Sequence, residues 1–260
     1  MPGNVRVEKE GHLGWIVFDH QPRRNAISAE MWQAIPDAVA ELDDDPEIRV
    51  AVLRGAGDVA FVSGADISEF EQSRSGPQAE EYDRNNQRAF AALGGMRKPL
   101  LAMIHGFCVG GGFAIAVNAD LRYAADDAVF AVPAARLGLG YSPVGLETLV
   151  NVVGLPAAKE IFFTARRLDV RDAQRLGLVH EVLPKADLEQ HVRKRAAQIA
   201  ANAPLTLRSA KLVMGELTKA PTQRDHDAIA RSVHDCYASA DYAEGVRAFL
   251  EKRAPEFRGT

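Results

Sequence analysis

The chain has 260 residues, 47% of them hydrophobic and 25% charged, which fits one large globular domain or a domain with an appendage. Its net charge of −4 and pI near 6.0 offer no basic surface for nucleic acid or an anionic membrane. No apolar run approaches the roughly 20 residues of a membrane span, and no basic-then-apolar leader opens the chain, so a cytoplasmic protein is expected.

Leu13–Asp19 (LGWIVFD) reads as a strand, rich in β-branched and aromatic residues, and ends in a loop over His20–Ala26. Ser28 is the expected N-cap of a helix carrying Met31, Ile35, Val39 and Leu42 at helical spacing. Pro36 is expected to kink or restart that helix. Ile48–Arg54 is a second buried strand, and Gly55–Asp58 turns the chain into Ala60–Ile67 (AFVSGADI), a short apolar strand with Gly64 and Ala65 at its end. A polar loop over 68–78 leads to a helix at Glu80–Leu93.

The next stretch, Leu100–Ala119 (LLAMIHGFCVGGGFAIAVNA), carries the strongest chemical signal. A buried strand at Leu100–Ile104 turns through Gly106 and Gly110-Gly111-Gly112 into an Ala-rich helix at Phe113–Ala119. Glycines there let backbone approach a ligand, and the first amides of the helix have no intrahelical acceptor. An oxygen gaining negative charge would be stabilised at such a turn, although tight helix–strand packing asks for the same glycines. Of the cysteines, Cys108 and Cys236 sit in no Cys/His motif and read as small buried hydrophobes.

Short strands follow at Leu121–Ala125 and Val129–Val132, then a loop-rich segment at Pro133–Gly145 (PAARLGLGYSPVG). Beyond it helices dominate: 148–153, 157–164, 170–176, 188–201, 205–217, 223–239 and 243–253. Strands interleaved with helices, then helices alone, indicate an α/β core with a helical C-terminal part.

AFVSGADI at 60–67, HGFCVGGGFAIAVNADLRYA at 105–124 and DYAEGVRAFLEKRAPEF at 241–257 resemble the enoyl-CoA hydratase/isomerase family, the crotonases. The likeness runs from RNAIS at 24–28 to the end of the chain. It implies an α/β crotonase (ClpP/crotonase-like) spiral of β-β-α repeats over residues 1–200, with a helical trimerisation region over 201–260. It also implies an acyl-CoA thioester as substrate, a homotrimer or dimer of trimers, and no cofactor beyond coenzyme A itself. The thioester carbonyl would lie between the backbone amides of Ala65 and Gly111. Coenzyme A would fold over Ser63, Gly64, Asp66 and Ile67, with Gly110 in the glycine turn and Phe249 and Lys252 of the C-terminal helix completing its site. Lys252 is equally readable as a solvated helix-surface lysine, and Asp66 as a turn or cap residue rather than a base. Asp120 matches a structural aspartate, and His105 is expected to be a satisfied core histidine.

Hydratases of the family carry two glutamates where this chain has Ala114 and Ala134. Adding water across a double bond needs groups that take and give protons, and alanine does neither. Tyr141, in GYSPVGLETL, gives the loop its closest likeness to the methylmalonyl-CoA decarboxylases of the family, which keep a glutamate at position 114 and a histidine at 65. Decarboxylation suits a site without carboxylates, with Tyr141 orienting the departing group and Ala114 and Ala134 as apolar walls. The alternatives are a hydratase or isomerase recruiting another acid such as Glu147, and an acyl-CoA binder that does no chemistry. Arg136 could pair with a substrate carboxylate or serve a surface ion pair, and His20 could favour coenzyme A phosphates.

Overall fold

The computed structural model describes residues 3–66, 77–141 and 143–260. β1 (Asn4–Glu10) and β2 (Leu13–Asp19) form a hairpin whose ladder runs from Asn4 beside Asp19 to Glu10 beside Leu13. α1 (Ala29–Asp44) starts where the Ser28 hydroxyl accepts from Met31 N–H at 3.3 Å, as the capping pattern predicts. It runs through Pro36 as one helix and does not restart there. Met31, Trp32, Ile35, Ala38, Val39 and Leu42 are buried on both sides of that proline, so packing offsets the hydrogen bond it cannot donate.

Three turns of chain then repeat one pattern. β3 (Val50–Gly55), β4 (Ala60–Val62) and α2 (Pro77–Gly95) make the first, and β5 (Leu100–Ile104), β6 (Phe107–Val109) and α3 (Gly111–Val117) the second. β7 (Leu121–Ala125), β8 (Val129–Ala131) and α4 (Ala134–Leu137) make the third. Each turn adds one strand to each of two sheets. The larger has the order β1-β2-β3-β5-β7-β9, with β9 at Glu181–Leu183, and is parallel except for the β1–β2 hairpin. The smaller, β4-β6-β8, is parallel throughout.

Alternate residues of the large sheet feed different cores. Ile16, Phe18, Ala51 and Leu53 face the interior shared with the small sheet, α1 and α2. Trp15, Val17, Val50 and Val52 face α8 (Lys185–Ala200), which answers with Leu188, Val192, Ala196 and Ala200 at four-residue spacing. Strands buried on both faces explain the continuous apolar runs of the sequence. α5 (Pro143–Val153), α6 (Leu155–Thr164) and α7 (Val170–Arg175) close the spiral. α9 (Pro204–Thr218), α10 (His226–Ala238) and α11 (Ala240–Glu251) pack in series at the end. None of the described helices is long and apolar enough to cross a membrane.

The structure shortens the strand expected at Ala60–Ile67 to Ala60–Val62, because Gly64 takes φ +124 and breaks the ladder. Ile67 and the loop segment 68–76 lie outside the described residues. The expected loop at Pro133–Gly145 instead contains α4 and the start of α5. β1, β6 and β9 are strands that sequence patterning did not reveal.

Candidate active site

β4 and β6 run parallel, with Ala60 beside Phe107 and Val62 beside Cys108. The segments leaving them therefore emerge side by side. Gly64, at φ +124, and Gly110, at φ +53, hold backbone conformations that a side chain would strain. Ile27 N–H donates to Gly64 O at 2.8 Å and Asp66 N–H donates to Ile27 O at 2.9 Å. The amide of Ala65, between these two bonds, is turned away from Ile27. Gly111 opens α3, and its amide has no intrahelical acceptor. Among the described residues, neither Ala65 N–H nor Gly111 N–H donates a hydrogen bond. A Cβ added to Gly111 would lie 3.7 Å from the Ala65 nitrogen, so the two donors are close neighbours. α3 has seven residues, so the amides themselves, rather than a long helix dipole, supply the positive potential.

Ala65 and Gly111 both line a cavity of about 290 Å3. Ser63, Gly64, Gly110, Ala114, Ala134 and Tyr141 line it. Ser63 Oγ donates to Arg23 O at 3.1 Å, which fixes the loop. Tyr141 meets Phe162 edge-on, with ring centroids 5.2 Å apart. Trp32 forms the floor beneath Gly111, where an added Cβ would sit 2.9 Å from its Cζ2. Its Nε1–H donates to Tyr82 Oη at 3.0 Å.

Other expected site residues stand elsewhere. Asp66 is 7% exposed, 3.7 Å from Arg23, and is not among the described residues that line the cavity. Glu147 and Arg136 are exposed and are not among the described residues that line it. Phe249 and Lys252 are exposed on α11 and at its C-terminal cap, apart from the cavity. Asp120 accepts from Leu100 N–H and Lys211 Nζ, both at 2.7 Å, in a structural role. His105 is buried as expected but is not satisfied: its Nε2 has no partner among the described residues, and burial lowers its pKa. Burial also pushes the Cys108 thiol up, which removes it as a nucleophile.

The family profile of enoyl-CoA hydratase/isomerase matches residues 8–260. The chain belongs to that family. It is 34% identical to a crotonyl-CoA hydratase of Syntrophomonas wolfei, over 98% of this chain and 97% of that one. An enoyl-CoA hydratase/carnithine racemase from Magnetospirillum magneticum superposes with a TM-score of 0.94 at 32% identity, covering 98% of this chain and 96% of that one. A family protein from Hyphomonas neptunium gives 0.92 at 35% identity, covering 97% of each. The two-sheet spiral with its helical end is therefore the crotonase fold.

Sequence reasoning missed one wall of this crotonase cavity. α2 contributes Tyr82, Asp83, Asn86, Gln87 and Phe90, a single stripe at helical spacing. The recurrence of polar and aromatic residues on that stripe was present in the sequence, hidden within a helix that reads as polar all round. Asp83 is the one carboxylate among the described residues lining the cavity.

Proposed function

We propose that this crotonase binds an acyl-CoA thioester, stabilises its enolate between the amides of Ala65 and Gly111, and uses that enolate to lose CO2 from a malonyl-type acyl group. The supporting observation is the pairing of two unused backbone donors with a wall made of Ala114 and Ala134. In the proposed step the bond from Cα to the carboxylate breaks and CO2 departs. The electron pair enters the Cα–carbonyl bond, and the carbonyl oxygen becomes the oxyanion that the two N–H groups hold. A proton from water then reaches Cα and restores the thioester. Losing one such donor costs about 3 kcal/mol of transition-state stabilisation in comparable sites. The alanine walls leave the substrate carboxylate poorly solvated, which favours its loss as neutral CO2. Tyr141 orients the carboxylate, and the thioester is its own electron sink, so no further cofactor is needed.

A second reading is favoured by the hydratase relative and by Asp83: hydration or isomerisation with Asp83 as the proton-transferring group. Mass-spectrometric turnover of malonyl-, methylmalonyl- and crotonyl-CoA separates the two. We expect CO2 loss from a malonyl thioester, falling roughly tenfold or more in Tyr141→Phe. Crotonyl-CoA hydration that disappears in Asp83→Asn would establish the second reading instead. Coenzyme A binding with no turnover of any thioester would leave a binding protein. We further propose that the chain assembles as a homotrimer or a dimer of trimers through α9–α11.

A further inference from the structure

The lining of the cavity divides by element. α3 and α4 contribute Ala114 and Ala134, which can neither give nor hold a proton, whereas α2 contributes Asp83, Asn86 and Gln87. Asn86 stands one helical turn from Tyr82 and one turn from Phe90. Both neighbours touch Trp32, Tyr82 through the indole hydrogen bond at 3.0 Å and Phe90 edge-on with centroids 5.4 Å apart. Trp32 in turn lies against Gly111. Asn86 thus stands between the two side chains that brace the floor beneath the oxyanion donors.

The Asn86 Oδ1 is buried and accepts no hydrogen bond among the described residues. An orphaned acceptor is destabilising unless something donates to it. The substrate carboxylate cannot, because it has no proton to donate and is repelled by Asp83 on the same wall. The leaving carboxylate is therefore directed toward the alanines and Tyr141, and water is the donor left for Asn86. Water on this stripe has the Asn86 oxygen, the Gln87 amide and the Asp83 carboxylate as polar neighbours, enough to order it. With one O–H held by Asn86, the other is free to reach the acyl group.

We propose that Asn86 is a positioning residue: it holds the water that protonates the enolate, so that the proton reaches Cα from the α2 wall. The inference rests on the decarboxylation reading above. In this step one O–H bond of the water breaks and the enolate electron pair forms the new Cα–H bond. The carbonyl is restored between Ala65 and Gly111, and the hydroxide left behind passes to solvent. Turnover of methylmalonyl-CoA by the full chain in D2O tests it. The propionyl-CoA formed carries one deuterium at Cα, and its handedness, read by deuterium NMR of a chiral ester, reports the face that was protonated. The wild type should give one enantiomer in about tenfold excess, the selectivity one hydrogen bond can supply, and Asn86→Leu a near-equal mixture. Asn86→Ala provides the same comparison if leucine does not fit. Asn86→Asp keeps an acceptor oxygen and should keep the excess. A side chain kept for packing alone would leave the handedness of the product unmoved. An equal mixture from the wild type, an excess that survives Asn86→Leu and Asn86→Ala, or an equal mixture from Asn86→Asp would each overturn the proposal while leaving decarboxylation standing. No CO2 from methylmalonyl-CoA with folded wild type would overturn the decarboxylation reading and take this proposal with it.

Discussion

Neighbouring glycines of the triple-glycine turn do different work. A Cβ on Gly112 would lie 2.2 Å from Val62 O and 2.6 Å from Val62 Cβ, contacts with backbone and strand that cannot move aside. A Cβ on Gly111 meets first the far edge of Trp32 at 2.9 Å, which a tilt of the indole can relieve. Gly112→Ala should therefore cost about 3 kcal/mol in denaturant unfolding. Gly111→Ala should cost less stability but lose acyl-CoA affinity, because the tilt disturbs the cavity floor. The motif announced the turn and its open amides. It did not announce this division of labour, which depends on Val62 and Trp32, about 50 and 80 residues upstream.

Among the elements, strands with a buried, β-branched run were legible, and β2, β5 and β7 have the limits that the sequence predicts. β6 has only three residues, too short for a period to register, and it exists because β4 and β8 flank it as parallel partners. The last helix was legible as amphipathic, but its anchoring was not. Arg253, then Arg247 and the Glu256 N–H, hold the Glu244 carboxyl well below the usual carboxylate range. Arg258 N–H and Gly259 N–H donate to Asp241 at 2.6 and 2.8 Å, so the tail folds back on the start of α11. An unfolded glutamate titrates near pH ~4.3. The stabilisation by Glu244 is thus complete above that pH and is lost as the pH falls below it, where the unfolded chain binds more protons. Wild type should melt higher than Glu244→Gln at pH 7. Thermal melts followed down to pH ~3 should show that gap narrowing.

At the scale of the whole molecule, the spiral could not be read from local pattern, since pairing β3 with β5 and β4 with β6 joins residues about 45–50 apart. The family likeness supplied the architecture. The helical end leaves a groove of about 900 Å3, lined by Met214, Leu217, Tyr237, Val246, Phe249 and Leu250. Phe249 is 83% exposed and Leu250 74%, and such a patch favours association. Light scattering should find an assembly of three or six chains, and Leu250→Lys should shift it toward monomers. A monomer in the wild type would remove the trimer from the proposal.

The sequence contains two tryptophans, and the fold parts them. Trp15 lies against α8 beneath Arg54 and Arg193, while Trp32 floors the cavity. Replacing Trp15 by phenylalanine leaves a single emitter, placed where the thioester would dock. Its fluorescence should change in proportion to occupancy, giving a direct optical titration that needs no turnover and no label.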